Sequence, residues 1–341
     1  MSRLNVMLES LVSVVIPTFN RKLLLEEAVA SCLAQTHQNV EVIIVDDGST
    51  DGTETFVADK MAGDWRLRSV RYYKKSNNGP AAARQYGLDR AKGEFIQFLD
   101  SDDLILPTKL ERQIVALLAA GPDAVGCSCV GRKGNKVDGF ENARRVGYMG
   151  GNVAEYIHAM CLPISFPMQC SAPLWRRSFL ASQRGWPEDL CCSEDWVHYV
   201  SLLLRASAIA FVDDELFWIC DHEGERASVT NWRSDKNLPK LVSEAKGIQR
   251  IEKLLRDAGI FSRENQKGLL RISRSVYFLL LEINACEELT AFEKQSRRLA
   301  TKPYYISAIE VASWFRLFFG VRLTRWTVRK FVRNCAKNSD S

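Results

Sequence analysis

Residues 94–103 read Glu-Phe-Ile-Gln-Phe-Leu-Asp-Ser-Asp-Asp, an apolar run that breaks into Asp100, Ser101, Asp102 and Asp103. Ligands of open α/β sheets bind just beyond the carboxyl ends of strands, and this cluster falls at such an end. Carboxylates so close repel one another unless a cation neutralises them. Their hard oxygens suit Mg2+ or Mn2+, and those cations in turn suit a phosphate-bearing substrate. The same residues also read as a solvated acidic turn ahead of the helix that begins near Pro107, and the cluster alone does not choose. Two other apolar runs end comparably. Val14-Val15-Ile16 passes into Pro17-Thr18-Phe19-Asn20-Arg21, whose polar groups can bond a ligand or cap a helix. Val45 passes into Asp46-Asp47-Gly48-Ser49-Thr50-Asp51-Gly52-Thr53. A carboxylate there can accept from a base N–H or a ribose hydroxyl, or Ser49 or Asp51 can close an Asx-turn into the next helix. No Gly-x-Gly-x-x-Gly follows the first strand and the chain has no Gly-Lys-Ser/Thr loop, which disfavours dinucleotide and P-loop readings.

The elements that must position these groups alternate along the chain. Apolar, β-branched runs predict strands at 12–16, 40–45, 70–73, 95–99 and 124–130. Helical spacing predicts helices at 23–35, 53–61, 81–91 and 107–120, with Pro80 able to open the third of them. Strands alternating with helices imply βαβ units and a mostly parallel central sheet flanked by helices. Six glycines from Gly131 to Gly151 mark a loop or hairpin region. Between 153 and 222 the pattern predicts helix, short strand, helix and then two strands, 209–212 and 216–220; beyond about 235 only helical periodicity remains.

A chain of 341 residues with 46% hydrophobic and 26% charged residues is that of a globular protein with one large domain or two ordinary ones. The net charge of +5 is small for the length and argues against nucleic acid as a partner. Ten cysteines lack zinc-type spacing, and Cys127/Cys129 and Cys191/Cys192 are too close to bridge easily, so free thiols in a reducing cytosol are expected. There is no signal-peptide pattern at the amino terminus and no apolar run of about 18 residues.

Together the strand ends resemble the family 2 glycosyltransferases of the GT-A fold. The resemblance rests on Val-Val-Ile-Pro-Thr-Phe-Asn, Val-Asp-Asp-Gly-Ser-Thr-Asp-Gly-Thr, Asn-Asn-Gly-Pro-Ala-Ala-Ala-Arg and Leu-Asp-Ser-Asp-Asp, and it covers residues 12–222. It implies an inverting, metal-dependent transfer from a nucleoside diphosphate sugar, with UDP the usual nucleotide, to a hydroxyl of a glycan, a lipid-linked or another cell-surface acceptor. By the same resemblance Thr18 would contact the nucleoside, Asp47 and less firmly Asp46 the base or ribose, and Arg84 the base or diphosphate. Asp102 would be the firmer ligand of Mn2+ or Mg2+ and Asp100 a ribose or metal-shell contact. The family's base lies in a Glu-Asp pair that opens a helix about ninety residues later, matched here by Cys192-Ser193-Glu194-Asp195-Trp196. That assigns Asp195 as base and Glu194 as its orienting or acceptor-binding neighbour; a capping box on Ser193 is the plain structural alternative. A helix's first turn lowers a carboxylate's pKa, so burial or nearby acids must restore its basicity. His222, in Cys-Asp-His-Glu-Gly after the last strand, would supply a third metal ligand, a role better suited to Mn2+ than to Mg2+, or contact the diphosphate; a plain loop histidine is the structural alternative. Trp186 and Cys191-Cys192 depart from the family pattern near the expected acceptor site.

The domain expectation is a GT-A domain at 1–230, its nucleotide half about 11–105 and acceptor half about 106–230, followed by a helical region at 231–341. In that region Arg322, Arg325, Arg329 and Arg333 share one helical face, a pattern suited to an anionic membrane surface or to a packed helix with a solvated side. The expected location is cytoplasmic, with peripheral contact at the inner face of the membrane. Two rival readings stand beside the first: sugar transfer to a polyprenyl phosphate, and a non-catalytic nucleotide-sugar-binding protein.

Overall fold

The structure, a computed structural model, describes residues 9–63, 68–135, 143–147, 152–161, 169–183, 185–221 and 238–282. The chain divides into two compact units, residues 1–160 with 164–225, and residues 161–163 with 226–341.

In the first unit the predicted alternation forms. Strands β1 (Val12–Thr18), β2 (Val40–Asp46), β3 (Val70–Lys74) and β4 (Phe95–Phe98) lie parallel, with helices α1 (Lys22–Leu33), α2 (Thr53–Gly63) and α3 (Gly79–Leu88) between them. Every residue of β1, β2 and β4 is buried, as expected of Val/Ile/Phe-rich strands covered on both faces, and the buried Ser13, Glu41 and Gln97 within them are hydrogen-bonded. After β4 come the three-residue β5 (Asp103–Ile105), α4 (Lys109–Ala120), β6 (Ala124–Asn135), β7 (Arg144–Val146), α5 (Val153–Met160), β8 (Leu174–Arg176), α6 (Arg177–Ala181), α7 (Glu194–Leu203) and β9 (Ala208–Asp221). The sheet order is β3-β2-β1-β4-β8-β6-β9-β5, with β7 on β6. Its β3-β2-β1-β4 half is all parallel, whereas β8 runs antiparallel to both β4 and β6, and β9 pairs parallel to β6 and antiparallel to β5.

Two local outcomes differ from the sequence reading. The strands predicted at 209–212 and 216–220 are one strand, β9, whose ladder with β6 shifts register after Cys129↔Val212. Asp213 and Asp214 sit at that irregularity, so the polar interruption that reads as a turn is absorbed as a bulge. The acidic cluster itself contains β5: Asp103 pairs with Ile219 and Ile105 with Phe217. Two ladder partners from a distant strand therefore fix the backbone just after Asp102.

Helix α3 lies unusually close to the sheet. A Cβ at Gly87 would stand 2.3 Å from Val15 Cγ1 and 3.2 Å from Val45 Cγ2. A Gly87→Ala variant is expected to lose about 1–3 kcal/mol of stability in denaturant titration through overpacking. Below β4, Lys109 is fully buried without a carboxylate and donates to Gln97 Oε1 and, at 2.6 Å, to Gln113 Oε1. Gln113 Nε2 in turn donates to the carbonyls of Cys127 and Ala172, tying α4, β6 and the approach to β8 together. The eight cysteines among the described residues are free thiols.

In the second unit α8 (Leu238–Asp257) and α9 (Arg263–Glu282) pack on each other, burying Leu241, Ile248, Ile251, Leu255 and Leu269. No helix among the described residues is long and apolar enough to cross a membrane.

Candidate active site

The carboxyl ends of β1, β2 and β4 meet at one edge of the sheet, with Thr18 and Asp46 in register across the first pair. The loops beyond β1 and β2 are stitched together. Asp47 N–H donates to the Thr18 carbonyl at 2.9 Å, Asn20 N–H to Ser49 Oγ at 2.8 Å, and Thr50 N–H to Asn20 Oδ1 at 2.8 Å. Asn20 takes φ 53°, a left-handed conformation that asparagine tolerates. Neither Thr18 nor Asn20 caps α1; the Lys22 N–H goes to Asp51 Oδ2 at 3.3 Å. Thr18 Oγ1 is buried without a hydrogen-bond partner among the described residues.

The two aspartates after β2 hold structure. Asp46 is fully buried, accepting the Ser49 N–H at 2.7 Å on one oxygen and the Tyr72 hydroxyl on the other. Burial first, and then this carboxylate, push the Tyr72 hydroxyl well above its ordinary range. Asp47 gathers the start of α3: Lys75 Nζ lies 2.6 Å and Asn78 N 3.0 Å from Oδ1, and Gly79 N 2.8 Å from Oδ2. The Asx-turn foreseen as an alternative is made by Asp51, which accepts the Thr53 N–H at 3.1 Å and its hydroxyl at 2.5 Å.

Arg84, on α3, is 5% exposed, and its two terminal nitrogens bridge carboxylates that are distant in the chain. NH2 donates to Asp100 Oδ1 at 2.7 Å and NH1 to Glu194 Oε1 at 2.8 Å. Charge-assisted bonds of this kind are among the strongest available to a side chain. So the structure brings Arg84, Asp100 and Glu194 together at one point, and it commits both ends of the guanidinium that the sequence placed beside a base or diphosphate. Asp102 points elsewhere, with Oδ2 2.8 Å from Arg21 NH1, both side chains 22% exposed. Asp103 turns into the protein and accepts the Ser171 hydroxyl at 2.8 Å. Burial, followed by the charges of Asp102 and Asp100, pushes its pKa well above the carboxylate range.

Glu194 and Asp195 open α7. Ser193, at the cap position, has φ 60° and makes no capping bond through its side chain, so there is no capping box. The acids are released for other partners: Glu194 meets Arg84, and Asp195 accepts the Trp196 N–H at 2.8 Å. Burial first, and then the charge of Glu194, raise the Asp195 pKa to about 7, against the opposing effect of Arg84. Cys191 is exposed and Cys192 half-buried at the approach to these acids. His222 and the basic segment 322–333 lie outside the described residues.

Three residues at this edge carry signals that the strand-end reading passed over. Phe19 is a large apolar side chain left 44% exposed beside Thr18. Arg21 ends the Thr-Phe-Asn-Arg motif, but only the fold brings it to Asp102. Trp186 is 4% exposed and packs under Arg84, not outward toward the approach to the site.

The model of the family described as "Glycosyl transferase family 2" matches residues 13–180. That stretch holds β1 to β4 and every acidic strand end described above; it is similar to a family 2 glycosyltransferase domain, and the fold is of the GT-A type. An uncharacterized glycosyltransferase of Haemophilus influenzae is 42% identical over 108 residues, which cover 32% of this chain and 42% of that protein. The match thus spans less than half the length of this curated relative. Among solved structures, S. aureus TarS 1–349 in complex with UDP-GlcNAc aligns with a TM-score of 0.64 at 18% identity, covering 96% of this chain and 92% of that one. The mannosyltransferase PcManGT from Pyrobaculum calidifontis, in complex with GDP-Man and Mn2+, aligns at 0.53 and 17% identity over 96% of this chain and 87% of its own. At such identities the two structures speak to the fold alone.

Proposed function

We propose that this domain is an inverting glycosyltransferase that takes a sugar from a nucleoside diphosphate sugar, UDP being the favoured nucleotide, and passes it to an acceptor hydroxyl. The observation that carries the reading is the Arg84 bridge. It holds an acidic strand end, Asp100, against the helix start that carries Asp195, whose pKa of about 7 is that of a working base. Displacement at an anomeric carbon needs a leaving-group side and a proton acceptor on the opposite face, and the bridge joins two such sides. Asp195 would take the acceptor proton and Glu194, fixed by Arg84, would orient it. The exposed ring of Phe19 is open to a nucleoside lying over the ends of β1 and β2, by stacking on a base, and Thr18 Oγ1, buried beside it without a partner among the described residues, is the hydroxyl proposed to bond that nucleoside.

A divalent cation fits the side chains present. Asp100 and Asp102 offer hard oxygens on side chains 31% and 22% exposed. No cluster of three or more ligand-type residues forms a ready cage among the described residues, but Mg2+ is usually held by one or two carboxylates together with substrate phosphates. Mn2+ or Mg2+ at Asp102 and Asp100 would supply positive charge against the departing diphosphate. His222 remains the proposed third ligand. The acceptor is proposed to be a glycan or lipid-linked molecule, and the basic carboxyl-terminal segment to meet the inner face of the membrane; the GT-A domain is proposed to end near residue 230.

The test is a thermal-shift panel of nucleoside diphosphate sugars with and without Mn2+. A rise in melting temperature with UDP-sugars and Mn2+ together is expected, and Asp102→Ala should abolish its metal-dependent part. No stabilisation by any nucleotide with metal present would overturn the reading.

A further inference from the structure

Arg84 is supported from beneath by a stack of rings. Its Cζ stands 4.9 Å from the centroid of the Trp186 ring. That ring lies nearly parallel to His198, with centroids 4.1 Å apart and planes at 20°, and takes the edge of Phe98 at 5.1 Å. The backbone N–H of Trp186 donates to Oε1 of Gln85, the neighbour of Arg84 on α3, at 3.3 Å. Four separate stretches of chain therefore converge: α3, β4, the loop before α7, and α7 itself. Arg84 Nε, Trp186 Nε1 and His198 Nε2 are all buried, and none has a hydrogen-bond partner among the described residues.

A stack selected for stability alone would not leave three buried polar atoms unpaired, because each such atom costs free energy. What the rings offer is their faces. A tryptophan face is the best aromatic seat for a guanidinium, and desolvation strengthens the attraction. His198 can back that seat because it carries no charge: burial, assisted by Arg84, lowers its pKa to about 3.

We propose that Trp186, backed by His198, is a positioning residue for Arg84, its ring face fixing the guanidinium so that Asp100 and Glu194 stay joined. The kinetic half of this inference rests on the displacement reading above; the structural half does not. The experiment sets Trp186→Leu beside Trp186→Phe. The leucine variant is expected to lower kcat by on the order of 10- to 100-fold with donor KM within about threefold, since a small misplacement costs rate before binding. The phenylalanine variant, which keeps a face under Arg84, is expected to recover most of that loss. Alongside, a double-mutant cycle on unfolding over Trp186→Leu and Arg84→Met should be clearly non-additive. Additive effects in the cycle, a leucine variant with unchanged kcat, or a phenylalanine variant no better than leucine would each overturn the proposal. Absence of turnover in the unaltered protein would instead count against the transferase reading, with the cycle still deciding the role of Trp186.

Discussion

Replacing Asp195 with asparagine is expected to lower turnover by about 10²- to 10⁴-fold, the range for loss of a general base, with nucleotide affinity nearly unchanged. The base works only when ionised, so kcat/KM of the unaltered protein should rise as the pH passes through about 7. Stability should move the opposite way. Folded Asp195 holds a proton up to about pH 7, whereas an unfolded aspartate releases it near its model value of 3.8. Between those values the folded state binds more protons than the unfolded state, so stability falls as pH rises. The neutral asparagine escapes this penalty, which is on the order of a few kcal/mol above pH 7. Asp195→Asn should therefore melt higher than the parent at pH 8, with the advantage fading toward pH 4. Steady-state kinetics and melts across that range check both halves. A variant that keeps full turnover would shift the reading to an acceptor phosphate, which needs no base.

Arg84→Met has the second large effect expected. Glu194 is 5% exposed, and removing Arg84 leaves its carboxylate buried without its cation. Breaking a buried pair from one side typically costs about 3–5 kcal/mol, a fall of on the order of 10 °C in melting temperature. Because Arg84 lowers the Asp195 pKa, its removal should also carry the acidic limb of kcat/KM to higher pH. Arg84→Lys should rescue little, since an ammonium cannot span Asp100 and Glu194 as a planar fork does. Unaltered melting and an unmoved acidic limb would show that the bridge does not form.

Much of this was legible in the chain because strands covered on both faces announce themselves. The Val/Ile/Phe runs of β1, β2 and β4 left no other reading, and each stopped at a polar group that the fold puts at one edge. The Glu194-Asp195 pair was legible from its place ahead of a helix. Partners were not. Arg84 reaches Glu194 across 110 positions, and nothing local to either residue encodes that contact. Asp46 and Asp47 read as ligand contacts from their place at a strand end, which says nothing of their partners within the chain. Only the fold shows Tyr72, Ser49 and the amides of Asn78 and Gly79 claiming their oxygens. β5 escaped notice because three residues, all paired with β9, are too few to form a periodic pattern.

The seating of α3 has a further consequence for where the domain tolerates substitution. Asp47 clasps its first turn, and Gly87 presses its last turn onto Val15 and Val45. Between those two anchors sits Arg84. The strand-end edge and the charge bridge are therefore one mechanical block, in which a change at one end is felt at the other. The segment before α7 is tied to α3 farther back, at Trp186, while Ser193 stands in a left-handed turn and Cys191 faces solvent. Substitutions within that block are therefore expected to disturb the fold more than substitutions at 187–193, where the chain turns in the open before α7 begins.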